Sequence, residues 1–93
     1  MNPMRFRVEI RPATRPGAIK AFADVECEVQ EGMLRLLGFS IVQTEGKPPF
    51  VGFPSKPGNN AGKYFPVVEA EGSLRKSICE AVLSAYDGWE AQQ

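Results

Sequence analysis

The chain predicts an α+β domain: a small antiparallel β-sheet of four to five strands followed by a C-terminal α-helix. Two observations carry this reading. Residues 4–43 alternate apolar and polar side chains with the period of half-buried strands, and from Leu74 onward the apolar positions change to the helical period. Strands come first and the helix last, which is the order of an α+β chain and not of repeated β-α-β units. The 93 residues hold no internal repeat and no linker that would divide them, so one domain is expected over residues 1–93.

The first strand is expected at 4–11, where Met4, Phe6, Val8 and Ile10 share one face and Arg5, Arg7, Glu9 and Arg11 the other. Pro12 to Gly17 is a loop with two prolines and a glycine. The second strand, 19–30, turns Ile19, Ala21, Ala23, Val25, Cys27 and Val29 inward, with Phe22 the exception on the outer face. Paired as an antiparallel hairpin, the arginines of the first strand oppose Asp24, Glu26 and Glu28 of the second. Opposite charges across a strand pair contribute roughly 0.2–1 kcal/mol each. Either that pairing uses up the arginines, or they form a basic surface that binds something.

Glu31-Gly32 is a turn signal, and a third strand is expected at 33–43. Its alternation slips between Leu36 and Leu37, and Gly38 follows directly, as at a bulge or in a sheet covered on both faces. Phe50, Val51 and Phe53 form a short fourth strand, at 50–53, which Pro54 stops because proline has no N–H for a sheet ladder. A polar loop with Lys56 and Lys63 at its two ends then leads to an irregular or edge strand at 63–69 containing Pro66. The helix is expected at 74–87, with Ser73 as its N-cap and Gly88 ending it. Leu74, Ile78, Ala81, Val82, Ala85 and Trp89 cluster on its wheel, widened by Cys79, Leu83 and Tyr86. At ~100° per residue the apolar arc spans about 200°, more than one small sheet covers, so a homodimer is expected.

Composition narrows the function. An apolar fraction of 43% and a charged fraction of 24% are those of an ordinary globular protein, and the net charge is zero. The charge is unevenly spread: residues 1–20 carry five Lys/Arg against one acid, 21–45 five acids against one Arg, and 46–76 five Lys/Arg against two acids. An anion site must therefore come from the first or third block. The absence of histidine removes the usual general base and the commonest metal ligand. No enzyme activity, cofactor or metal is expected. Cys27 and Cys79 match no metal or redox spacing and read as buried thiols. No apolar run approaches a membrane span and the first residues lack the apolar core of a signal peptide, so a cytoplasmic protein is expected.

Gly58-Asn-Asn-Ala-Gly62-Lys63 does not make a P-loop: three residues separate its glycines, Tyr64 follows the lysine, and a strand comes next instead of a helix. The helix start is more informative. Arg75 and Lys76 occupy the first turn, where the helix dipole disfavours cations by a few tenths to about 1 kcal/mol. Either Glu69, Glu71 and Glu80 neutralise them, or free N–H groups and two cations together make an anion site. With Lys56 and Lys63, four cations could gather near one end of the sheet.

Phe50-Val-x-Phe-Pro-Ser-Lys56, the glycine-bearing loop, Tyr64, and Arg75-x-x-Ile78-x-x-Ala81-Val82-x-x-x-Tyr86 together resemble the stage V sporulation protein G family of bacterial septation regulators. The resemblance is best over residues 36–86. It implies a small antiparallel sheet with C-terminal helices, dimerisation through exchanged elements, and binding of DNA (in some members RNA) to regulate transcription. In that family basic residues at the start of the C-terminal helix are implicated in binding. This role carries over to Arg75 and Lys76, and with less support to Lys56; Lys63 is added from its position alone. Glu69 and Ala70 stand where members often have His-Pro, and Glu71 adds a second acid beside the site. Three readings follow, a nucleic-acid-binding regulator first and a protein–protein adaptor using Phe22, the Pro-Pro-Phe turn and the Trp89 tail second. An enzyme comes last.

Overall fold

Seven elements follow one another in the computed structural model, which describes residues 5–58 and 63–92. Strands β1 (Phe6–Pro12), β2 (Ile19–Val29), β3 (Gly32–Val42) and β4 (Phe50–Gly52) form an antiparallel meander in the order β1-β2-β3-β4. Strands β5 (Ser55–Pro57) and β6 (Tyr64–Pro66) make a separate two-stranded ribbon, and helix α1 runs over Gly72–Ala91. The architecture is the expected α+β one. The expected first residue of β1, Met4, and loop residues 59–62 lie outside the described residues.

Register explains the alternation. Phe6, Val8 and Ile10 pair with Cys27, Val25 and Ala23, which pair in turn with Leu34, Leu36 and Phe39. These residues share one face of the sheet, and all but Leu34 pack into the core there; α1 packs on β1, β2 and β4 and brings Ile78, Val82 and Tyr86 into it. Ala23, Val25, Phe39, Ile41 and Val82 have no exposed surface at all. The small Ala21 and Ala23 of β2 leave room for Phe39 and Ile41 opposite them, an alternation of small and large that fills an interior.

The slip in β3 is a bulge. Ala23 pairs with Phe39 but Val25 with Leu36, so Leu37 and Gly38 together face Asp24. Gly38 has φ +90°, a conformation that a side chain would strain. Its spare N–H donates to Asp24 Oδ1 at 3.1 Å, and the same oxygen accepts from Arg11 Nη2 at 3.0 Å. Asp24 is thus a buried acid with a structural task, which alternation alone did not reveal.

Several expected boundaries are corrected. The segment expected as a strand at 63–69 is ordered as β only over Tyr64–Pro66, and its partner is Ser55–Pro57, a stretch read as polar loop. Pro66 and Pro57 each lack a ladder donor, which keeps the ribbon short. Ser73 is not the N-cap: that position is Glu71, which makes no side-chain capping bond, and Gly72 begins the helix at φ +66°. Gly88 does not end the helix, which continues to Ala91. There Trp89 stacks on Tyr86 at 5.9 Å, so burying an aromatic outweighs the roughly 1 kcal/mol cost of an internal glycine.

The fold is looser than its length requires. Its radius of gyration is 14.0 Å, against about 12 Å for a compact chain of this size. Val29, Met33, Leu34, Leu37, Phe50, Tyr64, Phe65, Val67 and Leu74 are all exposed.

Candidate functional site

The charges of the sheet's open face largely cancel. Arg5, Arg7, Arg11 and Arg35 face Glu9, Asp24, Glu26 and Glu28 across three strands. Arg11 pairs with Asp24 at 3.0 Å and Arg5 with Glu28 at 3.9 Å. Glu26 stands opposite Arg7 of β1, as expected, but its ion pair is with Arg35 of β3 at 3.5 Å, and Arg35 also reaches Glu9 and Asp24 at 3.9 Å. Of the first basic block, Arg5 and Arg11 are paired within the sheet, whereas Arg7, Arg15 and Lys20 have no ion pair among the described residues.

The third block behaves differently. Among the described residues, Lys56, Lys63, Arg75 and Lys76 take part in no ion pair, and all four are exposed. Glu69, Glu71 and Glu80 do not neutralise the two cations of the helix start. Arg75 packs its guanidinium over the Phe53 ring, 4.4 Å from the centroid, a contact worth about 0.5–1 kcal/mol at an exposed site. Phe53 in turn meets the buried Phe39 edge to face at 5.0 Å, so the core itself orients Arg75. Sequence reasoning missed Phe53 as part of the site; the signal was its place beside Pro54-Ser55-Lys56.

The four cations stand on two elements, Arg75 and Lys76 on α1 and Lys56 and Lys63 on the β5–β6 ribbon and its edge. Arg75 and Lys76 lie at the entrance of α1. That entrance has no acid in its first turn and no side-chain cap, so its first N–H groups remain available. Lys56 lies in β5 directly opposite Phe65, and Lys63 immediately precedes β6, where its carbonyl accepts from Gly58 N–H at 2.9 Å. The ribbon packs against neither the sheet nor α1 to any extent, but its base is tied down by Val67 N–H donating to the Pro54 carbonyl at 2.9 Å. Phe53, beneath Arg75, stands three residues before Lys56, at most ~10 Å of chain away.

Beside Arg75 lies an open groove of about 610 Å³ lined by Phe53, Pro66, Val68, Glu69, Ala70, Glu71 and Gly72. Its two carboxylates would repel an anion entering deeply, which directs phosphate contacts to its rim, where Arg75 stands. The groove holds neither a nucleophile nor a base paired with one. Among the described residues, no three Cys, Asp or Glu side chains are grouped to hold a metal ion. No helix among them is long and apolar enough to cross a membrane.

The features assigned to an adaptor are mostly occupied. Phe22 is half-buried beside the β1–β2 loop, in a shallow hollow with Ala13, Pro16 and Ile19, and Trp89 is packed on Tyr86. In the Pro-Pro-Phe turn, Pro48 and Phe50 stay exposed. Compared with known proteins, the chain matches no family model, no curated relative and no solved structure.

Proposed function

We propose that the protein is a nucleic-acid-binding regulator of the stage V sporulation protein G type, acting in the cytoplasm as a homodimer and without catalysis. One observation carries this reading: the sheet's arginines are largely paired with acids, whereas Arg75, Lys76, Lys56 and Lys63 make no ion pair among the described residues. The motif resemblance over residues 36–86 supports it. So does the open entrance of α1, where N–H groups and two cations suit a phosphate. The exposed Met33, Leu34 and Leu37 of β3 are apolar surface that a second copy would cover.

The mechanism is electrostatic. Lys56, Arg75 and Lys76, doubled by a two-fold axis, supply about six phosphate contacts, and log affinity then falls with log salt at a slope of about −5. Sequence preference is modest, because α1 turns its apolar face to the sheet and offers no row of base-reading side chains. An electrophoretic shift titration of wild type and Arg75→Ala/Lys76→Ala at two salt concentrations tests this. The variant should bind more weakly and lose about 3–4 of the slope. Binding indifferent to salt, or unchanged in the variant, rejects the mechanism. The adaptor reading rests on the exposed Leu37, Phe50 and Val67, and takes over if wild type binds no nucleic acid even at low salt.

A further inference from the structure

One face of the β5–β6 ribbon combines cations with an aromatic ring. Lys56 and Phe65 are directly paired across the ribbon, so their side chains leave it on the same side. Lys63 lies two residues before Phe65 in the same extended segment, which brings it to that side as well. Gly58 is what allows the arrangement: a methyl group there would overlap the Phe65 ring, so the ring lies against bare backbone. More than half of Phe65 remains exposed, at 53%. Tyr64, its neighbour, leaves from the opposite side.

An exposed phenyl ring between two lysines with no ion pair among the described residues is poorly suited to an apolar core, because burying the lysines would cost several kcal/mol each. It suits a ligand that is flat and apolar where it meets the ring and negatively charged on either side. An unpaired nucleobase with its flanking phosphates has this form: bases stack on aromatic side chains while cations track the backbone. A duplex keeps its bases stacked on one another and offers the ring nothing. Arg75, held over Phe53, which stands three residues before Lys56, supplies a further cation where the strand would continue.

Resting on the nucleic-acid reading above, we infer that the Lys56–Lys63–Phe65 face of the ribbon is a base-stacking site, and that the preferred ligand is single-stranded nucleic acid. Stacking on an aromatic is worth about 1–3 kcal/mol per base, or roughly a 5- to 150-fold change in affinity.

The test is fluorescence anisotropy of the full chain with a labelled single-stranded oligonucleotide of about 12 nucleotides and with its duplex, at one salt concentration. Wild type should bind the single strand more tightly than the duplex. Phe65→Leu should weaken single-strand binding by at least about fivefold and leave duplex binding unchanged, while Tyr64→Leu changes neither. Circular dichroism checks that both exposed-site variants fold. Equal affinity for the two ligands, with Phe65→Leu indistinguishable from wild type, overturns the stacking site and leaves the electrostatic regulator standing. Phe65→Leu that dissociates a dimer while single-strand affinity holds also overturns it, since a second copy then covers the ring. Wild type that binds neither ligand removes the parent reading and this one together.

Discussion

Replacing Asp24 should expose how the sheet holds its bulge. The carboxylate is buried, with 11% of its side chain exposed, and one oxygen accepts from both Gly38 N–H and Arg11. Asp24→Ala leaves the bulge donor without its partner. A hydrogen bond to a charged group contributes about 1.5–3 kcal/mol. The Arg11 pair adds only about 0.2–1 kcal/mol, because the guanidinium is 49% exposed and water screens it. The sum is about 2–4 kcal/mol, a large share of the ~5–15 kcal/mol total of a small domain. At ~4–8 °C per kcal/mol, the melting temperature should drop by more than about 8 °C. Asp24→Asn keeps an acceptor for Gly38 and should cost only about half as much. Glu9→Ala removes a 3.9 Å pair from a side chain that is 69% exposed, and should stay within about 0.5 kcal/mol. Urea unfolding followed by circular dichroism measures all three, with unchanged slopes confirming that native stability is what moved. If Asp24→Ala and Glu9→Ala were equally mild, or if the Gly38 amide exchanged no faster in Asp24→Ala, the carboxylate would not be holding the bulge.

Three further outcomes are expected. The Tyr86 hydroxyl is pushed up from 10.0 to about 12 by burial, then by donating to Glu90 at 2.7 Å and by that carboxylate's charge. The fold holds this proton more tightly than the unfolded chain, so its contribution is intact below pH 10 and declines as pH rises from 10.0 toward about 12. Urea midpoints measured either side of that window should fall steeply in wild type and less so in Tyr86→Phe; equal falls would refute the assignment. Burial also pushes the Cys27 thiol up, and with 4% exposure it should react with a maleimide only after Cys79, catching up once urea unfolds the chain. Mass spectrometry of the modified peptides decides it, and Cys27 labelling first would contradict the packing of β2. Finally, Phe53→Leu removes the platform beneath Arg75 while keeping bulk against Phe39. It should weaken nucleic-acid binding about two- to fivefold, and an unchanged anisotropy titration would mean that the stack does not orient Arg75.

The sequence alone determined the inward face of β1 and of the middle of β2, because a strand has a two-residue period and that face is apolar, whereas Ile19 and Val29 at the ends of β2, expected inward, are exposed. For β3 it left a bulge or a sheet covered on both faces, and the pairing of Ala23 with Phe39 but Val25 with Leu36 makes it the bulge. The helix was legible in kind but not in extent. A glycine normally favours an end, and only the docking of Trp89 on Tyr86 carried α1 past Gly88. What the tertiary structure decided was the pairing of charges and rings. Glu26, opposite both Arg7 and Arg35, paired with Arg35, and a three-residue ribbon strand appeared where composition indicated loop. Arg75 came to rest on Phe53 although three acids lay closer along the helix or just before it. Such contacts join residues far apart in the chain, and no local period encodes which of several suitable partners a side chain will meet.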